Sequence, residues 1–244
     1  MKKIIIVIIL GFLYSGIPVF LPAEEAASRE KPPEVAELIR DLGSSEPSER
    51  FRARALLAGM GEEVGPPLLA ALESGDREAV GCLLEVLAFI RYRPAAAAAE
   101  KIWQETDSVP LKLQAAQALC RFDHNYNRYQ GYILSQVRSG KEEDRMPAMQ
   151  MLGYIGDRRV VEPLVQIFND AGLSDPIRQA AIWDLAHTPV RESAEALVEM
   201  VNSPEIEWFY KEIVIAALRR LAGQGDMAPI VSELLERSQG LPER

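Results

Sequence analysis

The chain has 244 residues, of which 48% are hydrophobic, and this is enough apolar material for a well-buried core. It carries 27 Lys and Arg against 36 Asp and Glu, a formal net charge of −9. Such a surface repels phosphate backbones, which argues against DNA or RNA as the main ligand.

The first 22 residues predict a secretory signal peptide or an N-terminal membrane anchor. Lys2 and Lys3 precede an uncharged stretch over residues 4–21, as in both kinds of segment. This stretch is barely long enough to span a bilayer, and Gly16 and Pro18 would break a helix early, which favours a cleaved signal. Either form predicts an extracytoplasmic protein, periplasmic or secreted, or anchored to the inner membrane of a bacterium by residues 4–21. Residues 23–32 are predicted to be a linker.

A leucine that recurs at intervals of 30 to 33 residues organises the rest of the chain. Its six occurrences are Leu57, Leu87, Leu119, Leu152, Leu185 and Leu218. The residues four before and three after each leucine are nearly all apolar, so they predict the buried face of a first helix, A. A second apolar stripe about twelve residues later predicts a helix B, with turn residues on either side. The pattern predicts six helix pairs over residues 33–240 without a β-sheet, and a lone stripe at residues 33–42 predicts an N-terminal cap helix.

These columns resemble the short HEAT-like repeat that also occurs in phycobilisome lyases. The resemblance is carried by Asp175-Pro176-Ile177-Arg178 with Ala180, Ala181 and Leu185, and by Leu152-Gly153-Tyr154-Ile155-Gly156-Asp157 with Pro163 and Leu164. It covers nearly all of residues 33–240 and implies an all-α, armadillo-type superhelix. Because such solenoids hold other proteins, it also implies a scaffold or adaptor with a protein partner. A lyase-like or accessory enzyme subunit is the alternative, and a small-ligand binder is a third.

The sequence has no recognisable catalytic, cofactor or metal site. His124 and His187 lie two repeats apart, a separation of roughly 20 Å in a helix stack, so they cannot share a metal ion. Motifs for nucleotide binding or for an activated serine are missing. We therefore expect a protein that is not an enzyme and needs no cofactor or metal. Cys82 and Cys120 are expected to be buried free thiols, because they fall at different heights in adjacent repeats.

Polar residues that recur on one side of the predicted B helices are the candidate partner-binding surface. In repeat four they are Glu162, Gln166 and Asn169, and 33 residues later they are Glu195, Glu199 and Asn202. Since B helices usually line the concave face of HEAT-like solenoids, we expect this strip to bind the partner. A merely solvated face would show the same pattern.

Two aromatic residues outside the repeat columns are further candidate anchors. Tyr129 lies in the enlarged turn of repeat three, and Trp208 lies at the head of the last A helix. Aromatic side chains are common anchors at protein interfaces. The alternative for both is that they fill the core at an irregular repeat.

Overall fold

The computed structural model describes residues 34–74 and 79–239. The predicted signal or anchor segment and the linker that follows it lie outside the described residues. Among the residues that are described, no helix is both long and apolar enough to cross a membrane.

A short helix, α1 (Val35–Asp41), precedes six pairs of helices. The A helices are α2 (Pro47–Met60), α4 (Val80–Phe89), α6 (Val109–Arg121), α8 (Glu142–Ile155), α10 (Asp175–Ala186) and α12 (Trp208–Ala222). The B helices are α3 (Gly65–Ser74), α5 (Ala96–Glu105), α7 (Tyr126–Ser139), α9 (Val161–Asn169), α11 (Arg191–Asn202) and α13 (Met227–Gln239). Residues 34–74 and 79–239 contain no β-strand. The predicted all-α architecture, with six pairs and a cap helix, is confirmed.

The helix boundaries follow from local chemistry. Pro47, Pro110 and Pro176 lie in the first turns of α2, α6 and α10, where a missing backbone N–H leaves no helical hydrogen bond unmade. Gly156 ends α8 at a φ of 63°, a left-handed conformation that costs glycine little. Proline residues thus mark the starts of three A helices, and Gly156 forms the predicted turn between α8 and α9.

The repeated leucines form the centre of the core. Five of the six are completely buried, and Leu218, in the last repeat, is 4% exposed. Four residues before them lie small buried side chains such as Ala53, Ala115, Ala148 and Ala181. Because these side chains are short, neighbouring A helices can approach one another closely.

The A helices form the more tightly packed of the two layers. Each A helix contacts the next from α2 to α12, whereas the middle B helices α5, α7 and α9 contact one another far less. Beyond their first turns, α4, α6, α8 and α10 contain only two exposed residues, Phe89 and Tyr154. The A helices therefore form a continuous packed layer, and the B helices form a second, looser layer beside it. The expectation that the B helices line the concave face stays a prediction.

Arginines near the starts of A helices cap the element that precedes each of them. Arg178 donates from Nε to the carbonyl oxygen of Phe168 in the last turn of α9, at 2.8 Å. Arg145 donates to the carbonyl oxygen of Gly140 at 3.2 Å, and Arg50 donates to that of Ser44 at 2.7 Å. A cation at these carbonyls satisfies hydrogen-bond acceptors that the helix leaves open and complements its dipole. The recurring basic residues thus join consecutive repeats.

Candidate partner-binding surface

The six polar residues predicted on the B helices all lie exposed on α9 and α11, and we call them the B-helix strip: Glu162, Gln166, Asn169, Glu195, Glu199 and Asn202. The half on α9 is hydrogen bonded across repeats. Gln166 donates to Glu162 Oε1 at 3.2 Å and accepts from Arg138 Nη2 on α7 at 3.3 Å. The half on α11 includes Glu199, which makes no ion pair within the described part of the chain. The strip is therefore a continuous polar surface that keeps an uncompensated carboxylate.

An open groove between α11 and α13 contains half of this strip. It has a volume of about 650 Å³ and is lined by Glu195, Val198, Glu199, Asn202, Ser203, Leu234 and Ser238. Val198 and Leu234 supply apolar surface, while Glu195 and Glu199 supply negative charge. The strip residues of α9 do not line it. Such a groove suits an amphipathic segment with a basic side chain.

Arg191 connects the two helices that form the groove. Its guanidinium lies 2.9 Å from Glu195 Oε1 on its own helix and 3.2 Å from Glu233 Oε1 on α13. The hydrogen bond from Arg191 holds the pKa of the Glu233 carboxyl below its usual range. These ion pairs are solvent-exposed, so they hold the spacing of α11 and α13 without adding much stability.

Tyr129, predicted as a partner contact, is completely buried. Its hydroxyl group donates to Glu100 Oε1 at 2.9 Å, and its ring meets that of Trp103 edge to face at a centroid distance of 5.2 Å. His124 Nε2 lies 2.7 Å from the other oxygen of Glu100. The prediction for Tyr129 is wrong, because the residue lies within α7 and not in a turn, and its ring packs into the core against Trp103. The hydroxyl group of Tyr129 also provides the Glu100 carboxylate with a hydrogen-bond donor.

The aromatic run at the start of α12 divides into exposed and buried members. Trp208 is 74% exposed and Phe209 is 42% exposed, whereas Tyr210 is 4% exposed and donates to Asp175 Oδ1 at 2.6 Å. Trp208 therefore stays a candidate anchor, although it is not one of the residues that line the groove. An exposed indole of this kind is typical of interface anchors.

A second polar surface, on the A-helix layer, was missed by the sequence analysis. Arg54 on α2 pairs with Glu85 on α4, and Gln114 on α6 donates to Glu85 Oε1 at 3.2 Å. Next to them on this layer are Tyr154 on α8 and Asp184 on α10. The signal that could have found them is the presence of polar residues within otherwise apolar A helices.

Within residues 34–74 and 79–239, no three His, Cys, Asp or Glu side chains are placed to hold an ion. Cys82 and Cys120 are free thiols; Cys120 is buried, whereas Cys82 is only partly covered. Burial raises the pKa of the Cys120 thiol to about 12, so it stays protonated and unreactive at neutral pH.

The fold and its polar surfaces define the class of protein: an α-solenoid of paired helices with an exposed polar strip on two of its B helices. No family model matches the chain, and no curated protein matches it either. A solved structure of the complex of CpcE and CpcF of phycocyanin lyase from Nostoc sp. PCC7120 is similar. It is 18% identical in sequence, covers 87% of this chain and 97% of that chain, and superposes with a TM-score of 0.45.

This comparison corrects one sequence-based expectation. We expected a protein that is not an enzyme, but the similar structure is that of a lyase complex, so this expectation is contradicted. At 18% identity and a TM-score of 0.45, the likeness does not by itself carry lyase activity to this chain. The assignment to the α-solenoid fold rests on the helix pairs and their contacts.

Proposed function

We propose that this chain is a protein-binding solenoid that holds a partner along the B-helix strip, with the groove between α11 and α13 as the centre of the contact. The observation that carries this proposal is the position of Glu195, Glu199 and Asn202. The repeat predicts them as one face of α11, and all three line the groove. A surface whose residues recur with the repeat, are exposed and line a groove is a better candidate for a binding site than a merely solvated helix face.

The charge of the groove indicates the kind of partner. Glu199 has no cation paired with it among the described residues, and the whole chain has a net charge of −9. A basic segment of a protein would find complementary charge at the rim and apolar contact with Val198 and Leu234. Complementary charge of this kind raises the rate of association and selects against acidic partners.

Charge reversal within the strip tests the proposal. Partners are captured by crosslinking from the fraction of the host that contains the protein, and the captured proteins are quantified for each variant. Glu199→Lys combined with Asn169→Arg is expected to reduce capture of the main partner at least about tenfold, because two charges of the wrong sign replace acceptors on the contact surface. Helicity and melting temperature are expected to stay unchanged, because both side chains are exposed.

A charge-matched variant provides the control. Glu212→Lys makes the same charge change as the single variant Glu199→Lys, but at an exposed position of α12 away from the groove, and it is compared with that single variant as well as with the double one. It is expected to capture the partner as the parent chain does. Loss of capture in Glu212→Lys but not in the strip variant would place the partner elsewhere and overturn the proposal.

We also propose that the solenoid works outside the cytoplasm. Support comes only from the sequence of residues 1–22, with its two lysines and its uncharged stretch. Alkaline phosphatase fused after residue 30 is expected to be active, because this enzyme needs an oxidising compartment to form its disulfides. Full-length chain in the cytosol, with an inactive fusion, would contradict this location.

A lyase-like or accessory enzyme subunit is the second candidate. The observation that favours it is the set of ionisable side chains on the A-helix layer. Burial raises the pKa of Asp184, and burial with the charge of Glu85 raises the pKa of Tyr154. Clusters of shifted pKa values are a feature of catalytic sites. Covalent attachment of chromophore to phycocyanin, measured by visible absorbance after denaturation with and without this chain, tests it directly.

A further inference from the structure

The carboxyl group of Asp184, on α10, packs against the neighbouring A helix. It rests against Gly153 of the preceding A helix. A Cβ atom at Gly153 would come within 2.4 Å of the Asp184 carboxyl carbon. Oδ2 of Asp184 is buried and has no hydrogen-bond partner within the described residues. Gly153 thus leaves space beside α8 for the Asp184 carboxyl group, but the described residues provide no hydrogen-bond partner for its Oδ2.

Such an arrangement is unfavourable for the free protein. A buried carboxyl group without a partner loses its hydration and gains nothing in return. An asparagine or an apolar residue of similar size would pack there at lower cost. Groups that weaken the fold in this way are concentrated at functional sites, because a ligand supplies the missing contact.

The surroundings of Asp184 supply no cation. Burial alone accounts for the raised pKa of its carboxyl group, with no contribution from a Lys or Arg among the described residues. The basic group of Arg54, on the same layer, is already paired with Glu85. The residue as a whole stays partly exposed, and of its two carboxyl oxygens only Oδ2 is fully buried, so a cation would approach the carboxyl group at Oδ1.

Tyr154 completes the arrangement. It follows Gly153 in α8, it is 40% exposed, and its hydroxyl group lies within the electrostatic influence of Asp184 and Glu85. An aromatic ring beside a carboxyl group can bind an ammonium or guanidinium group through cation–π contact and a charge-assisted hydrogen bond, and the bound cation favours the ionised form of the carboxyl group.

We propose that Asp184 and Tyr154 form a binding site for the cationic side chain, lysine or arginine, of a protein segment that lies along the A-helix layer. A divalent metal ion is a poorer occupant, because a single carboxyl group offers too few ligands. The site is independent of the groove between α11 and α13, which lies on the other layer. The net charge of −9 favours a basic segment at either place.

Titration of the ¹⁵N-labelled full chain with N-acetyl-arginine amide tests the site by NMR. Saturable shifts are expected for the backbone amides of Gly153, Tyr154 and Asp184, with a dissociation constant of about the millimolar range for a single side chain. Asp184→Asn keeps the shape of the side chain and is expected to weaken binding about tenfold or more. Tyr154→Leu removes only the cation–π contact and is expected to weaken binding less.

Two controls test whether the positive charge of the probe and this particular site are both needed. N-acetyl-citrulline amide has the shape of the arginine probe without its charge and is expected to cause no saturable shift. The strip variant Glu199→Lys with Asn169→Arg is expected to bind the arginine probe normally, so that failure of the groove proposal leaves this result intact. Equal shifts in the parent and Asp184→Asn chains, equal shifts with citrulline, or no shifts at all would overturn the site.

Discussion

Arg121 and Ala88 join two neighbouring A helices: Nε of Arg121, on α6, donates a 2.7 Å hydrogen bond to the carbonyl oxygen of Ala88 near the end of α4. The same guanidinium also donates to the carbonyl oxygens of Tyr154 and Ile155 at the end of α8, both at 3.0 Å. One side chain therefore caps the helix before it and the helix after it. Burial lowers the pKa of Arg121 to about 10, which still leaves it charged at neutral pH.

Arg121→Met is expected to lower the free energy of unfolding by about 2–3 kcal/mol, because it leaves carbonyl groups at two helix ends without their charged donor. Urea denaturation followed by circular dichroism measures the loss. Arg220→Met changes the exposed arginine at the equivalent place of the last repeat and is expected to cost less than about 0.5 kcal/mol. Equal losses in the two variants would contradict the role of Arg121.

Leu152, at the centre of repeat four, is completely buried between helices of both layers. Leu152→Ala is expected to cost about 2–5 kcal/mol, because it removes apolar contact and leaves a cavity. Since each repeat contacts mainly its neighbours, the loss can show as partial unfolding of the middle repeats in calorimetry. The matched variant Leu56→Ala, at a side chain that is 37% exposed, is expected to cost much less. A loss below about 0.5 kcal/mol at Leu152 would mean that the repeat register is wrong.

Asp184 gives the fold a dependence on pH that one substitution should remove. Its pKa in the folded chain is raised by burial, so between the usual pKa of about 4 and the raised value the unfolded chain releases a proton that the folded chain keeps. The contribution of this group to the free energy of unfolding is therefore largest below about pH 4, and it is lost as the pH rises towards the pKa of the group in the folded chain. Asp184→Asn is expected to raise the melting temperature at pH 7.5 and to change it little near pH 4. Equal effects at both values would argue against a shifted Asp184.

The helix pairs could be predicted because one physical requirement repeats along the chain. Each leucine from Leu57 to Leu218 must be buried, and the spacing of the apolar residues around it shows which side of the helix is covered. The packing between neighbouring A helices could not be predicted in the same way. It depends on small residues such as Ala115 and Gly153 together with their neighbours in other repeats.

The candidate surfaces differ in how far the sequence reveals them. Glu195, Glu199 and Asn202 were found because exposed positions of a helix recur with its period. Asp184 was missed because its position becomes informative only beside Gly153, a residue of the preceding repeat. The sequence of a single helix does not show that these two residues are in contact. Tyr129 was misplaced because the insertion in repeat three interrupts the columns that would have marked it as buried.

Tyr129 and Trp208, the two aromatic residues that the sequence predicts as anchors, should respond to substitution in opposite ways. Tyr129→Ala removes a completely buried ring and is expected to cost about 3–5 kcal/mol, whereas Tyr129→Phe keeps the packing and is expected to leave partner capture unchanged. Trp208→Ala removes a ring that is 74% exposed, so stability should change by less than about 0.5 kcal/mol. Capture falls in Trp208→Ala if this indole contacts the partner. Chemical denaturation and quantitative crosslinking of the three variants measure both effects, and reduced capture by a stably folded Tyr129→Phe chain would show that the buried ring has a role in binding after all.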